Sequence, residues 1–224
     1  VLELGANNAP VMINTNDAIS RTEVGQPIGN YYGYIFDGVL SQADIDNGYP
    51  VWPGSEAGDP KVRDVTGEGT IDANDRTIIG NYQPDFTWGL TNNFSFRGVE
   101  LSVMLTGSQG GEIMNQHSRF LKSFNGNRNA YASSANFWRS DAEPGNGHIF
   151  KPRVTQNTVQ AQSSNYWVED ASFVRIKNIC VGYNFPRSVT QKLKVSNLKL
   201  YVNLENVYVF SDYSNYDPEG STFQ

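Results

Sequence analysis

Phe86-Thr-Trp-Gly-Leu-Thr-Asn-Asn-Phe-Ser-Phe96, then Arg97-Gly98, then Val99-Glu-Leu-Ser-Val-Met-Leu-Thr106 is the stretch that decides the fold. Successive side chains of an extended strand point to opposite sides, so Phe86, Trp88, Leu90, Phe94 and Phe96 share one face. Thr87, Gly89, Thr91, Asn93 and Ser95 share the other. After Arg97-Gly98 the alternation resumes, with Val99, Leu101, Val103 and Leu105 set against Glu100, Ser102, Met104 and Thr106. Two such runs joined by two residues predict a hairpin.

Two further runs repeat the pattern. Leu198 to Phe210 places Leu198, Leu200, Val202, Leu204, Tyr208 and Phe210 opposite Lys199, Tyr201, Asn203 and Glu205. Phe173 to Phe185 starts with Val174 and Ile176 on the apolar face and then changes phase to Ile179, Val181, Tyr183 and Phe185. One extra residue near Lys177-Asn178, a β-bulge, would return both halves to a single face. A weaker fifth candidate is the Tyr- and Gly-rich stretch from Asn30 to Leu40. Each run has the roughly 9–11 residues that cross a bilayer as a tilted strand. Soluble sandwiches alternate too, and a soluble β-sandwich carbohydrate-binding module is the competing reading. The wet face here is small and uncharged, mostly Thr, Asn, Ser and Gly, instead of the Lys/Glu mixture of soluble sheets, and that favours a lumen.

The connections alternate in length. Arg97-Gly98 closes the first pair, Gln109 to Ser172 separates the second strand from the third, and Pro186 to Asn197 joins the last two. Short turns on one side and long loops on the other are the habit of outer-membrane barrels. The expected fold class is therefore all-β: antiparallel strands of a transmembrane β-barrel, with segments 41–85, 109–172 and 211–224 as extracellular loops. Short helical pieces are expected in the loops, one of them from Ile113 to Phe124. The smallest barrels need eight strands, so residues 1–224 read as a segment of a larger barrel.

Composition narrows the function classes. The 224 residues carry 17 basic and 23 acidic side chains, a net charge of -6, which lacks the basic footprint of nucleic-acid binding. A single cysteine, Cys180, supports neither a disulfide framework nor a zinc site. His117 and His148 have no visible triad or metal partner, and Glu169-Asp170, adjacent on a strand, point to opposite faces and cannot flank one glycosidic bond. Nothing here predicts an enzyme.

One local motif carries chemistry. From Asp64 as position 1, Asp64-Val-Thr-Gly-Glu-Gly-Thr-Ile-Asp-Ala-Asn-Asp75 sets oxygen-bearing side chains at positions 1, 3, 5, 9 and 12 and Gly69 at the sharp turn. That is the layout of a twelve-residue Ca2+ loop, with Asp64, Thr66, Glu68 and Asp75 as side-chain ligands, Thr70 offering its carbonyl and Ile71 anchoring the loop. The competing reading is a Gly-rich turn whose carboxylates accept from backbone N–H groups.

Six segments in order also resemble the carboxy-terminal part of the SusC/RagA family of TonB-dependent outer-membrane transporters of Bacteroidetes. They are Gly25 to Tyr34, Gly58 to Asp72 with Asp75-Arg76 and Ile79-Gly80, Pro84 to Gly89, Gly107 to Gly111, Val168 to Asn178 with Gly182-Tyr183, and Asn206 with Tyr213 to Glu219. Glu68 stands where the family usually has Asp. The resemblance implies a barrel of about 22 strands, plugged from the amino-terminal side and importing glycans or peptides. It further implies an outer-membrane location in contact with lipid, a SusD-like surface lipoprotein as lid, and TonB acting through the plug, which lies outside this sequence. Pyranose faces stack on exposed aromatic rings, so Trp52, Tyr131, Trp138, Trp167, Tyr213 and Tyr216, all in or near the expected loops, are the candidate substrate-binding residues.

Overall fold

Four long strands, Phe86–Phe96, Val99–Gln109, Phe173–Asn184 and Lys199–Ser211, form one antiparallel sheet. This is a computed structural model, and it describes residues 1–5, 7–14, 19–122, 129–153 and 162–220. Across the sheet the order is Lys199–Ser211, Phe173–Asn184, Val99–Gln109, Phe86–Phe96. The first two strands in sequence turn back through Arg97 and Gly98, at φ 48° and 89°. Left-handed backbone at both central residues is the type I′ turn, whose twist matches that of the flanking strands. Gly98 is also required for space, because its carbonyl accepts from the Asn184 N–H at 2.7 Å and a Cβ there would collide with the Asn184 carbonyl.

The expected bulge is present. Both ladders of the Phe173–Asn184 strand slip between Ile176 and Asn178: Lys177 is extra against Val99–Gln109, while Lys199–Ser211 carries one residue more again at Asn206-Val207, and Ile176 and Ile179 end on the same face. All three long connections leave from one end of the sheet, where Phe86 opposes Gln109 and Phe173 opposes Ser108 and Ser211. The other end holds the two-residue turn and the Pro186–Leu198 connection, which contains a helix, Arg187–Lys192, that periodicity does not reveal.

The chain divides into this sheet unit (Pro84–Gly111, Asp170–Ser214) and a second unit built from Val1–Gln83, Glu112–Glu169 and Asn215–Gln224. The second unit has short strands. Val11–Asn14, Ile19–Thr22, Asn30–Gly33 and Thr77–Gly80 make one sheet in that order, and Phe36–Val39 pairs with Pro60–Val62. The Asn30 to Leu40 stretch is thus not a fifth spanning strand. It breaks into two short strands, because Asn30, Tyr31 and Tyr34 are buried in this unit and Gly33 packs too closely on the Ser163 carbonyl to admit a Cβ. The expected helix at Ile113 begins later, at Gln116, and runs to Lys122, because Ile113 and Met114 belong to the buried strand Glu112–Met114 paired with Val168–Asp170. Phe124 lies outside the described residues.

The core of this unit is aromatic. Tyr31, Met114, Phe150 and Trp167 form one buried cluster with Phe36 and Tyr166 against it, and Tyr34, Val62 and Ile71 form another with Trp52. Tyr166 stands edge-on to Trp167 at 4.5 Å, and burial pushes its phenol up to about 12. Among the described residues, no helix is long and apolar enough to cross a membrane, which says nothing about strands.

Candidate functional site

Residues directly opposite on neighbouring strands share a face, so the register converts the sheet into rows. From the Arg97-Gly98 end they read Phe96, Val99, Tyr183, Leu200; then Phe94, Leu101, Val181, Val202; then Asn92, Val103, Ile179, Leu204; then Leu90, Leu105, Ile176, Tyr208; then Trp88, Gly107, Val174, Phe210. The face is almost wholly apolar. Its rings gather toward the two ends, with aliphatic side chains between them. Phe94, Leu200, Val202 and Phe210 are 57–66% exposed, so this face is not packed under a second sheet as the sandwich reading requires. Eleven residues span ten rises of about 3.4 Å, which tilted by about 40° give a band about 26 Å tall, close to the roughly 25 Å apolar belt of a membrane barrel. Gly107 completes the belt, because the Trp88 ring lies where a Cβ on Gly107 would go.

The opposite face is largely polar, and several of its groups pair with one another. Glu100 accepts from Asn184 Nδ2 at 2.6 Å and pairs with Lys199 Nζ at 2.5 Å, which links three strands. Asn178 Nδ2 donates to Asn203 Oδ1 at 2.8 Å, and Asn203 Nδ2 donates to Glu205 Oε1 at 3.1 Å. Beside these lie small side chains such as Ser95, Asn93, Ser102 and Cys180.

The acidic turn folds around Asp75. Its carboxylate is fully buried and accepts from the N–H groups of Val65 (2.9 Å), Thr66 (3.1 Å) and Asp72 (2.8 Å) and from the Thr66 hydroxyl (3.1 Å). Burial alone would raise its pKa, but these donors outweigh burial and hold the carboxyl below its ordinary range. Asp64 accepts from the N–H groups of Gly67 and Gly69, both at positive φ, so it shapes the turn. Asp72 caps the short 3-10 turn Ala73–Asp75. Carboxylate oxygens of Glu68, Asp72 and Asp75 come within 4.8 Å of one another. Repulsion, chiefly from Asp72, raises the Glu68 carboxyl above its ordinary range. The nearby cations are engaged elsewhere: Arg63 grips Asp37 with two hydrogen bonds, and Arg76 Nε donates to the Tyr34 hydroxyl at 3.2 Å. Thr70 is exposed, and Ile71 is buried as the anchor. Of the side-chain ligands expected from spacing, the structure clusters Glu68 and Asp75, adds Asp72 from position 9, and turns Asp64 toward backbone donors.

The expected stacking aromatics divide. Trp138 and Trp167 are buried, at 7% and 2% exposure, and Trp52 packs edge-on against Tyr34 at 5.5 Å. These rings are spent on packing. Tyr213, half-buried, donates its N–H to Ser211 Oγ. Tyr131 and the 92%-exposed Tyr216 flank the exposed His117 at 6.4 and 6.1 Å. Spacing gave no signal for His117, which joins them only through folding.

A sheet with an exposed apolar belt, rings at both ends of that belt and a polar reverse face is the wall of a membrane β-barrel. No family model matches the chain. Over 88% of its length it is 33% identical to TonB-dependent receptor P3 of Formosa agariphila, and over 96% it is 24% identical to TonB-dependent receptor SusC of Bacteroides thetaiotaomicron. It superposes on a chain of the RagAB peptide importer in its open-open state with TM-score 0.71 and 21% identity, covering 97% of this chain and 22% of that one. The chain belongs to the SusC/RagA family of TonB-dependent receptors, and it spans about a fifth of the length of the curated relatives it matches.

Proposed function

We propose that the chain is the wall and outer-loop portion of an outer-membrane importer for oligomeric nutrients, glycans or peptides. In this reading the four-stranded sheet crosses the outer membrane with its apolar face in lipid. The second unit, which takes in most of segments 41–85, 109–172 and 211–224, is extracellular and meets the substrate and a SusD-like lipoprotein lid. TonB drives transport through a plug supplied by the rest of the receptor. The observation that carries the reading is the exposed belt of Phe94, Leu101, Val181 and Val202 with rings toward both ends, opposite a face of paired polar groups. A soluble binding module is disfavoured by the same exposure.

Within this function, the acidic turn holds a calcium ion through Glu68, Asp72 and Asp75, helped by Thr66 and the Thr70 carbonyl, with Asp64 shaping the loop. Hard carboxylate oxygens suit Ca2+, and neither Arg63 nor Arg76 neutralises them. Tyr131 and Tyr216, with His117 between them, offer the substrate an exposed aromatic platform. The test is to express the full-length gene and fractionate the cells. A heat-modifiable outer-membrane protein whose loss abolishes growth on one class of oligomer supports the reading. Recovery in a soluble fraction overturns it.

A further inference from the structure

We propose that the short-turn end of the sheet binds the headgroups of anionic phospholipids in the leaflet it meets. The proposal rests on the importer reading, in which the apolar face lies in lipid. Two connections form this end, Arg97-Gly98 and Pro186 to Leu198, and each joins neighbouring strands of the sheet. Together they carry Arg97, Arg187, Lys192 and Lys194 with no acidic residue. At the adjoining strand ends Glu100 is already matched by Lys199. Just beyond the strands at the opposite end stand Asp85, Asp170 and Asp212. In a chain of net charge -6, positive charge is thus gathered at one end of the sheet.

Position ties these cations to the lipid boundary. Arg97 is exposed, and its guanidinium lies 5.1 Å over the ring of Phe96, which belongs to the last row of the apolar belt. An arginine stacked on a lipid-facing ring holds its charge where hydrocarbon gives way to headgroups. The longer connection departs after Asn184 and returns at Lys199, next to Tyr183 and Leu200 of the same row. Its Arg187, Lys192 and Lys194 are exposed, and so are Leu193 and Val195 beside the lysines. Cations interleaved with exposed aliphatic side chains suit that boundary, where the apolar groups enter the acyl chains and the cations meet phosphates.

Local helix energetics do not account for the pattern. Arg187 is the first residue of the helix Arg187–Lys192, the end at which the helix dipole disfavours a cation. Past the other end, Lys194 holds φ 54°. Its N–H donates to the Gln191 carbonyl and the Val195 N–H donates to the Thr190 carbonyl, both at 3.1 Å. Those two bonds make the helix-ending turn whose left-handed position is ordinarily glycine. A lysine there keeps a charge at a conformational cost.

The test uses the full-length receptor in phosphatidylethanolamine vesicles doped with photoreactive phosphatidylglycerol or, in parallel, photoreactive phosphatidylethanolamine. Cross-links are mapped to peptides. Those on Pro186 to Leu198 should come preferentially from phosphatidylglycerol. Lys194→Gly, which suits the turn better than lysine, should lower that preference about fivefold with the heat-modifiable barrel intact. Arg97→Gln, Arg187→Gln, Lys192→Gln and Lys194→Gln combined should bring the two lipids to parity, whereas Arg187→Lys should keep the preference. Equal labelling by both lipids in the parent, an unchanged preference in the combined variant, or loss of labelling in millimolar inorganic phosphate would overturn the proposal, the last by marking a site for free anions. A heat-modifiable outer-membrane receptor that lacks the preference leaves the importer reading standing, and a receptor recovered in a soluble fraction ends both.

Discussion

Trp88 and Trp167 both belong to β-rich parts of one chain and meet opposite surroundings. Trp88 is 37% exposed, lies across Gly107 in a face with nothing packed over it, and touches the chain along one side. Trp167 is enclosed by Phe150 and Tyr166 and buried. In the sheet unit apolar side chains lie on an uncovered face and several polar ones pair on the other, whereas the second unit follows the rule of water-soluble proteins, with aromatic rings inside. The two halves of the chain are built for two solvents, and the same substitution should have opposite consequences in them.

The largest expected effect lies in the second unit. Trp167→Ala empties the centre of a packed cluster and should cost about 3–5 kcal/mol, read as loss of protease resistance of residues 112–122, while Trp88→Ala leaves that resistance unchanged. Next is Ile179→Arg, at mid-height of the belt, expected to cost about 2–4 kcal/mol in lipid vesicles by denaturant unfolding. Asn93→Arg, on the other face of the neighbouring region, should be nearly neutral. Equal costs for the two would erase the assignment of faces.

Asp75→Asn removes a charged acceptor from four donors and should destabilise the acidic turn by about 1–3 kcal/mol. Because the folded pKa of Asp75 lies below the ordinary 3.8, its contribution is full above that value and is lost as pH falls through the lower folded one. Thermal melts between pH 5 and pH 2 should therefore converge for Asp75→Asn and the parent at the acid end. Ser41→Ala, which strips the cap of the Gln42–Asp46 helix, should cost about 1 kcal/mol in the same melts. Smallest is Glu68→Gln. It removes a repelled carboxylate, so it should slightly stabilise the metal-free turn at neutral pH while weakening calcium binding by calorimetry. An unchanged calcium titration would remove Glu68 from the site.

The sheet unit was legible because a period of two is written residue by residue: Phe86 to Phe96 shows its faces without reference to anything distant, and even the slip at Lys177 shows as a phase change. The second unit was not. Tyr31, Met114, Phe150 and Trp167 come from four remote segments, and only their meeting tells that Asn30 to Leu40 serves a local core instead of crossing a membrane. The acidic turn lay between these cases. Its spacing announced a cluster of oxygens, but whether Asp64 or Asp72 faces that cluster depends on which carboxylate the Gly67 and Gly69 N–H groups capture. The burial of Trp138 and Trp167 is hidden from the sequence for the same reason, since a ring that stacks on sugar and a ring that fills a core have the same letter.

The pairing of Glu112–Met114 with Val168–Asp170 bears on the order of folding events. The hairpin through Arg97-Gly98 closes two residues and forms on a timescale of about 1–10 μs. Zipping Val99–Gln109 to Phe173–Asn184 must instead close the whole of segment 110–172, a difference of about 3 kcal/mol in loop entropy. The short pairing, extended by the Ala171 N–H donating to the Gly111 carbonyl at 3.1 Å, fastens the two ends of that segment together. Once those ends are tied, the third long strand arrives beside the second as though the intervening sixty-odd residues were a short loop, and the search for its register becomes a local one.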